Sequence, residues 1–188
     1  MPVPDFSPGE VLTAAAMDSI GLWKVAEGTL SGSTTNFVGC FSSTYKNYRV
    51  IIDDVKLSAA GDIYIQYLTT GTTPVAGNNY YWSYAGLTSG GATQSSNAAA
   101  ASGGYLGWST TGAGGHGGVT IDITNPNVAI QTLTGGVSFY LLGSLGAYAS
   151  RSGSAVWDTT ATFTGFRITT LTAVTMTSGN VKIYGYRN

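Results

Sequence analysis

Val119-Thr120-Ile121-Asp122-Ile123-Thr124 alternates without a break, three branched aliphatic residues against three polar ones. A period of two is the repeat of an extended strand, whose successive side chains point to opposite faces. The stretch therefore reads as a strand with one buried face. The same alternation recurs on both sides of it. Tyr48, Val50 and Ile52 alternate with Arg49, Ile51 and Asp53, and Ile63, Ile65 and Tyr67 with Tyr64, Gln66 and Leu68. Val137, Phe139 and Leu141 continue the pattern, as do Phe166 with Ile168 and Val181 with Ile183. Turn residues separate these runs at Ala60-Gly61-Asp62, Asn125-Pro126-Asn127, Gly135-Gly136 and Ser178-Gly179-Asn180. Many short strands without helices between them predict an all-β fold, a β-sandwich of jelly-roll type over residues 22–188.

Composition narrows the function classes. Of 188 residues only 9% are charged, against roughly 25% in ordinary soluble domains, and 27 are glycine. With 43% hydrophobic and 12% aromatic residues the chain has material for a core, which argues against intrinsic disorder. Eight Lys and Arg against nine Asp and Glu leave no electrostatic footprint for phosphates, so nucleic acid is not an expected partner. No run approaches the roughly 20 apolar residues of a membrane helix, and no membrane partner is expected. The first basic residue is Lys24, and the apolar run Val11–Met17 is short, so no secretory signal is expected. One cysteine, Cys40, excludes an intramolecular disulfide framework and reads as a small buried hydrophobe beside Phe41. Cys40 and the single histidine cannot fill an ordinary zinc site, so neither metal nor cofactor is expected.

The first twenty residues differ from the rest. Met1-Pro2-Val3-Pro4-Asp5-Phe6 reads as an extended arm, because a residue preceding proline is pushed away from helical geometry. Ser7-Pro8-Gly9-Glu10 fits a capping box with proline at the first helical position, predicting a short helix that stops at Gly21. A helix this short is marginal alone and must dock, on its own domain or on a partner. Residues 1–21 therefore form an attachment segment whose contacts would come from Phe6, Val11, Leu12, Met17 and Ile20. The alternative is that these side chains pack under the sandwich.

Candidate chemistry is sparse. Gly112-Ala113-Gly114-Gly115-His116-Gly117 matches the dinucleotide fingerprint literally, but a strand rather than a helix follows it, so the match is accidental. His116 could serve as a base only with Asp122 or Asp158 nearby. Asp53 and Asp54 are neighbours on a strand and point to opposite faces, which does not make a glycosidase pair. No enzyme is expected. Tyr80, Tyr81, Trp82 and Tyr84, joined by Trp108, form an aromatic group set among Asn79 and Ser83. Such residues are either core and subunit-interface material or a platform for stacking sugar rings. Leu87–Gly104 and Thr110–Gly118 read as long Gly- and Ser-rich loops, the first a rim for such a platform. No Asp, Glu, Lys or Arg occurs from Ile63 to Ile121, which points to a region that contacts subunits or a ligand.

Two stretches are familiar. Pro4–Gly21 resembles the leader of tailed-bacteriophage minor structural proteins, F-x-x-G-x-V-L-T-A-A-x-M-N-x-I, carried here by Phe6, Gly9, Val11, Leu12, Thr13, Ala14, Ala15, Met17 and Ile20, with Asp18 where Asn is commoner. Tyr45–Ile52 and Gly179–Asn188 resemble the first and last strands of the compact β-domain of phage fibre and virion-surface proteins. The resemblance implies a virion protein, a capsid-decoration or short-fibre subunit assembled in the host cytoplasm. Its implied partners are further copies of itself, often as a trimer, together with capsid, neck or tail proteins. A host-surface glycan is the partner implied by the alternative, a receptor-binding module.

Overall fold

The computed structural model describes residues 21–110, 117–142 and 147–187. The expected arm and helix, with Phe6, Val11, Leu12, Met17 and Ile20, lie outside the described residues, as does His116. Among the described residues there are thirteen strands and no helix. They are β1 (Leu22–Thr29), β2 (Thr34–Phe37), β3 (Tyr45–Leu57), β4 (Gly61–Thr70), β5 (Thr73–Pro74), β6 (Tyr80–Thr88) and β7 (Thr93–Ala101). There follow β8 (Gly104–Thr110), β9 (Gly117–Thr124), β10 (Ile130–Leu142), β11 (Ala147–Ala161), β12 (Gly165–Thr169) and β13 (Met176–Arg187). Eight strands make one sheet in the order β1-β13-β3-β9-β10-β11-β6-β7. A second sheet runs β2-β12-β4-β5, with β8 also paired to β4. Every pairing is antiparallel.

The alternating aliphatic residues become the inner faces. Val119, Ile121 and Ile123 of β9 are buried, as are Val50 and Ile52 beside them on β3 and Val181 and Ile183 on β13. From the second sheet Ile63, Ile65, Tyr67, Phe166 and Ile168 complete the same core. Aromatic rings fill its centre: Tyr67 stacks on Phe163 with centroids 4.7 Å apart, and Tyr80 meets the edge of Trp157 at 4.8 Å. Offset and edge contacts of this kind add to the area term that holds two sheets together. Cys40 lies in this core at 6% exposure, and burial pushes its thiol up to about 12, so it behaves as a hydrophobe rather than a nucleophile.

Three expectations change. Leu87–Gly104 is not one long loop: after a tight turn with Gly91 at φ +80°, Thr93–Ala101 pairs with β6 as an edge strand. Ladder hydrogen bonds need only backbone, and a Ser, Asn and Ala strand makes them without contributing to a core, so its composition hides it. On β10 the buried set is Thr132, Thr134, Ser138 and Tyr140, whereas Val137 and Phe139 face outward at 48% and 58% exposure. A buried partner decides this: the Thr134 hydroxyl hydrogen-bonds Tyr67 Oη inside the core. Asp53 and Asp54 are both exposed, because Asp54 takes φ +52° where the β3–β9 register slips between Ile52 and Val55. In the Gly-rich stretch, Gly117 and Gly118 open β9, and residues 111–116 lie outside the described residues.

Candidate functional site

Strand parity divides the aromatic group of β6. Tyr80 points into the core, 1% exposed, and its hydroxyl accepts the Tyr67 backbone N–H at 2.6 Å. Burial raises its pKa well above the usual tyrosine value, so it stays a neutral core phenol. Trp82 and Tyr84 share that inner side two and four residues along, nearer the sheet margin, and clamp the Tyr105 ring of β8 at 5.0 and 4.5 Å. Tyr81 alone faces outward, 43% exposed. Trp108 pairs through its backbone with Ile63, and its side chain lies outside the description. The four aromatics of β6 therefore do not share one face.

Behind Trp82 and Tyr84 lies a group that the sequence did not single out. Arg151 of β11 projects inward with its side chain 9% exposed. Its guanidinium sits 4.6 Å from the Tyr84 ring centroid and 5.1 Å from that of Tyr140. It donates to Gln94 Oε1 at 3.0 Å and to the Tyr105 hydroxyl, and its counter-charge is Asp62 at 3.8 Å. Tyr140 donates to the same Gln94 oxygen and Tyr105 to Asp62. Desolvation raises the pKa of both phenols, so each remains a donor. One cation thus ties β4, β6, β7, β8, β10 and β11 together. Its signal in the sequence is a lone arginine among Ser, Gly and Ala residues, with no spacing to reveal its partners.

The outer face of the eight-stranded sheet is divided in two. Across β1, β13, β3 and β9 it carries paired charges: Lys24–Glu27 at 2.9 Å, Lys182–Asp53 at 3.8 Å, and Arg49 bidentate on Asp122 at 2.9 and 2.7 Å. Tyr186 adds a hydrogen bond to Asp122, and these donors hold its carboxyl below the usual range, the Arg49 hydrogen bonds most. Across β10, β11, β6 and β7 the outward residues are mainly Leu, Val, Phe, Tyr, Ser, Ala, Thr, Asn, Gln and Gly. Asp158, which accepts a hydrogen bond from Gln131 near one end of this half, is its outward charge among the described residues.

Three shallow grooves lie on or beside the second of these halves. One of about 410 Å³ lies among Asp53, Gly118, Phe139, Leu141 and Tyr148. A second, about 570 Å³, runs past Tyr81, Ser83, Asn97, Ser154 and Val156. The third, about 520 Å³, is lined by Ser83, Ala85, Ser152 and Ser154. None of them gathers the set of acid, base and nucleophile that catalysis requires.

No protein family matches this sequence, and no curated protein matches it. Among solved structures, Neisserial surface protein A aligns at a TM-score of 0.21 and 9% identity, covering 58% of this chain and 94% of that one. Alginate lyase from Alteromonas sp. 272 aligns at 0.21 and 9% identity, covering 76% and 73%. A structure of infectious bursal disease virus, Gt strain, aligns at 0.15 and 13% identity, covering 100% of this chain and 47% of that one. Likenesses of this strength carry no argument about fold or function.

Proposed function

We propose that this chain is a non-enzymatic structural subunit of a bacteriophage virion, a decoration or short-fibre protein. Residues 1–21 attach it to the particle and residues 22–188 form an exposed, self-associating β-sandwich. The observation that carries the reading is a strand order. Taking β1, β2, β3, β4, β8, β9, β12 and β13 as strands one to eight, the two sheets run 1-8-3-6 and 2-7-4-5. That order supports a jelly roll, two interlocked Greek keys, the double-sheet architecture of capsid and lectin domains. The hairpins β6–β7 and β10–β11 are additions that widen one sheet. Two of the carboxylates considered for catalysis are engaged in sheet-surface pairs, Asp122 with Arg49 and Asp53 with Lys182. Deleting residues 2–20 should abolish incorporation into particles, read by immunoblot of purified virions. Normal incorporation of the shortened chain would refute the attachment role.

A second reading, a receptor-binding module for a host-surface glycan, is favoured by the groove beside Tyr81. There an exposed ring stands next to Ser83, Asn97 and Ser154, which offer hydroxyl and amide partners to a sugar. If it holds, Tyr81→Ala removes binding on a glycan array, whereas Tyr80→Phe, a core change, leaves it.

A further inference from the structure

Cross-strand register sets the uncharged half of the outer face in rows. At one end Phe139 stands opposite Ser150, and Ser150 opposite Leu87, with Tyr148 one step beyond on β11. At the other end Leu133 stands opposite Val156, and Val156 opposite Tyr81. Between these ends the rows are Val137-Ser152-Ala85 and Gly135-Ser154-Ser83. The result is two apolar ridges about 20 Å apart, from six residues of strand rise, with a saddle between them of Ser and Ala on β11 and β6 and of Gly135 and Val137 on β10. The β6–β11 part of this saddle is the groove of about 520 Å³. Phe139, Tyr148 and Leu87 are 58%, 65% and 54% exposed, a concentration of large apolar side chains that marks an association surface.

We infer that this face binds a second copy of the same chain, the ridge of Phe139, Tyr148 and Leu87 entering the saddle of its neighbour. The inference rests on the structural-subunit reading and names the surface through which the subunits associate. Charge selects the occupant. A charged partner of either sign, whether a nucleic acid, a lipid headgroup or an ionic peptide, meets no counter-charge on β10, β6 or β7. A copy of the same central rows brings no charge either, Asp158 and, beside the Phe139 ridge, Asp53 and Asp54 standing at their margins, and with a formal net charge of −1 there is little repulsion between whole chains. Shape selects it as well, because a surface that carries both a ridge and a saddle can meet itself under two-fold symmetry. From the charged half Asp53 and Asp54 border the Phe139 ridge, each already paired, with Lys182 and Lys56.

Gly135 supplies a variant that leaves the single chain undisturbed. A Cβ built there meets nothing within 4 Å, so Gly135→Glu places a charge in the saddle without a clash in its own sandwich. Light scattering of the full chain should give an oligomer for the natural sequence and one chain's mass for Gly135→Glu. Phe139→Ser should dissociate it too, with circular dichroism unchanged in both. A monomeric natural chain, or an oligomer that survives both substitutions, overturns the inference. A natural chain that is monomeric until it captures a glycan through this face would also overturn it. Particle incorporation is read separately: an oligomer that never enters virions removes the structural-subunit reading and leaves the interface standing.

Discussion

At the scale of single residues, Arg151 and Asp122 hold comparable partners under different exposure. Arg151 is buried, and its removal leaves Gln94, Tyr105 and the Tyr84 face without the group they surround. Breaking a buried charged contact costs about 3–5 kcal/mol, and the 37% exposure of the Asp62 side chain, which lets water take over its solvation, brings the figure for Arg151→Ala to about 2–3 kcal/mol. At about 2–4 °C per kcal/mol for a chain of this size, Tm should fall by roughly 5–10 °C. Arg151→Lys should recover only part of this, because an ammonium cannot keep the planar fork. Asp122 is the exposed case. Its carboxyl is held below the ordinary value in the folded chain, so its contribution is present above about pH 4, the unfolded aspartate value, and is lost as pH falls through the lower folded one. Exposure limits that contribution to under about 1 kcal/mol. Asp122→Asn should therefore lower Tm by no more than about 2–4 °C at neutral pH, the gap to the natural chain closing in acid, as scanning calorimetry across pH would register.

Adjacent glycines on β10 show what a strand requires of its residues. A Cβ on Gly136 would collide with the Thr120 carbonyl oxygen and stand 2.8 Å from Ile121 Cα, both on the neighbouring strand, whereas one on Gly135 points into open space. Gly136→Ala should thus cost about 1–3 kcal/mol through forced separation of β9 and β10, and Gly135→Ala almost nothing, in paired denaturant melts. From sequence the two read alike, as one Gly-Gly turn, although both lie inside a 13-residue strand. The elements that were legible, β3, β4, β9, β12 and β13, are those whose burial follows aliphatic alternation. β7 was not, because its pairing is written in backbone hydrogen bonds that leave no mark on side-chain type. Parity was the other gap. Alternation on β10 shows that Val137 and Phe139 share a face, but which face is inside depends on Tyr67 meeting Thr134, a contact 67 positions apart in the chain. The aromatic run of β6 failed as a platform for the same geometric reason, since neighbours in a strand cannot share a face.

At the scale of the whole molecule, scarcity of charge becomes a matter of placement. The uncharged segment from Ile63 to Ile121 supplies β6 and β7, and the hairpin β10–β11 adds its outward Leu, Val, Phe and Ser residues, so one half of the wide sheet is neutral while the other half carries the ion pairs. The two halves predict opposite responses to solution conditions if copies meet. Contact through the ion-paired half would weaken with salt, because exposed charges more than about 10 Å apart are screened at 0.1 M. Contact through the central rows of the other half has little charge to screen, Asp158 standing near one end. Its driving force is apolar burial, which weakens on cooling and strengthens with excluded salts such as sulfate. Sedimentation equilibrium should therefore give a dissociation constant that sodium chloride leaves within about twofold, that sulfate lowers, and that rises on cooling from 25 to 5 °C. Isothermal dilution should show a heat-capacity change on association of negative sign, the mark of buried apolar surface. An association that sodium chloride loosens tenfold would instead place the contact on Arg49, Asp122 and Lys182. The substitution at Gly135 would then leave it intact, so salt dependence and mutagenesis test the same assignment by independent routes.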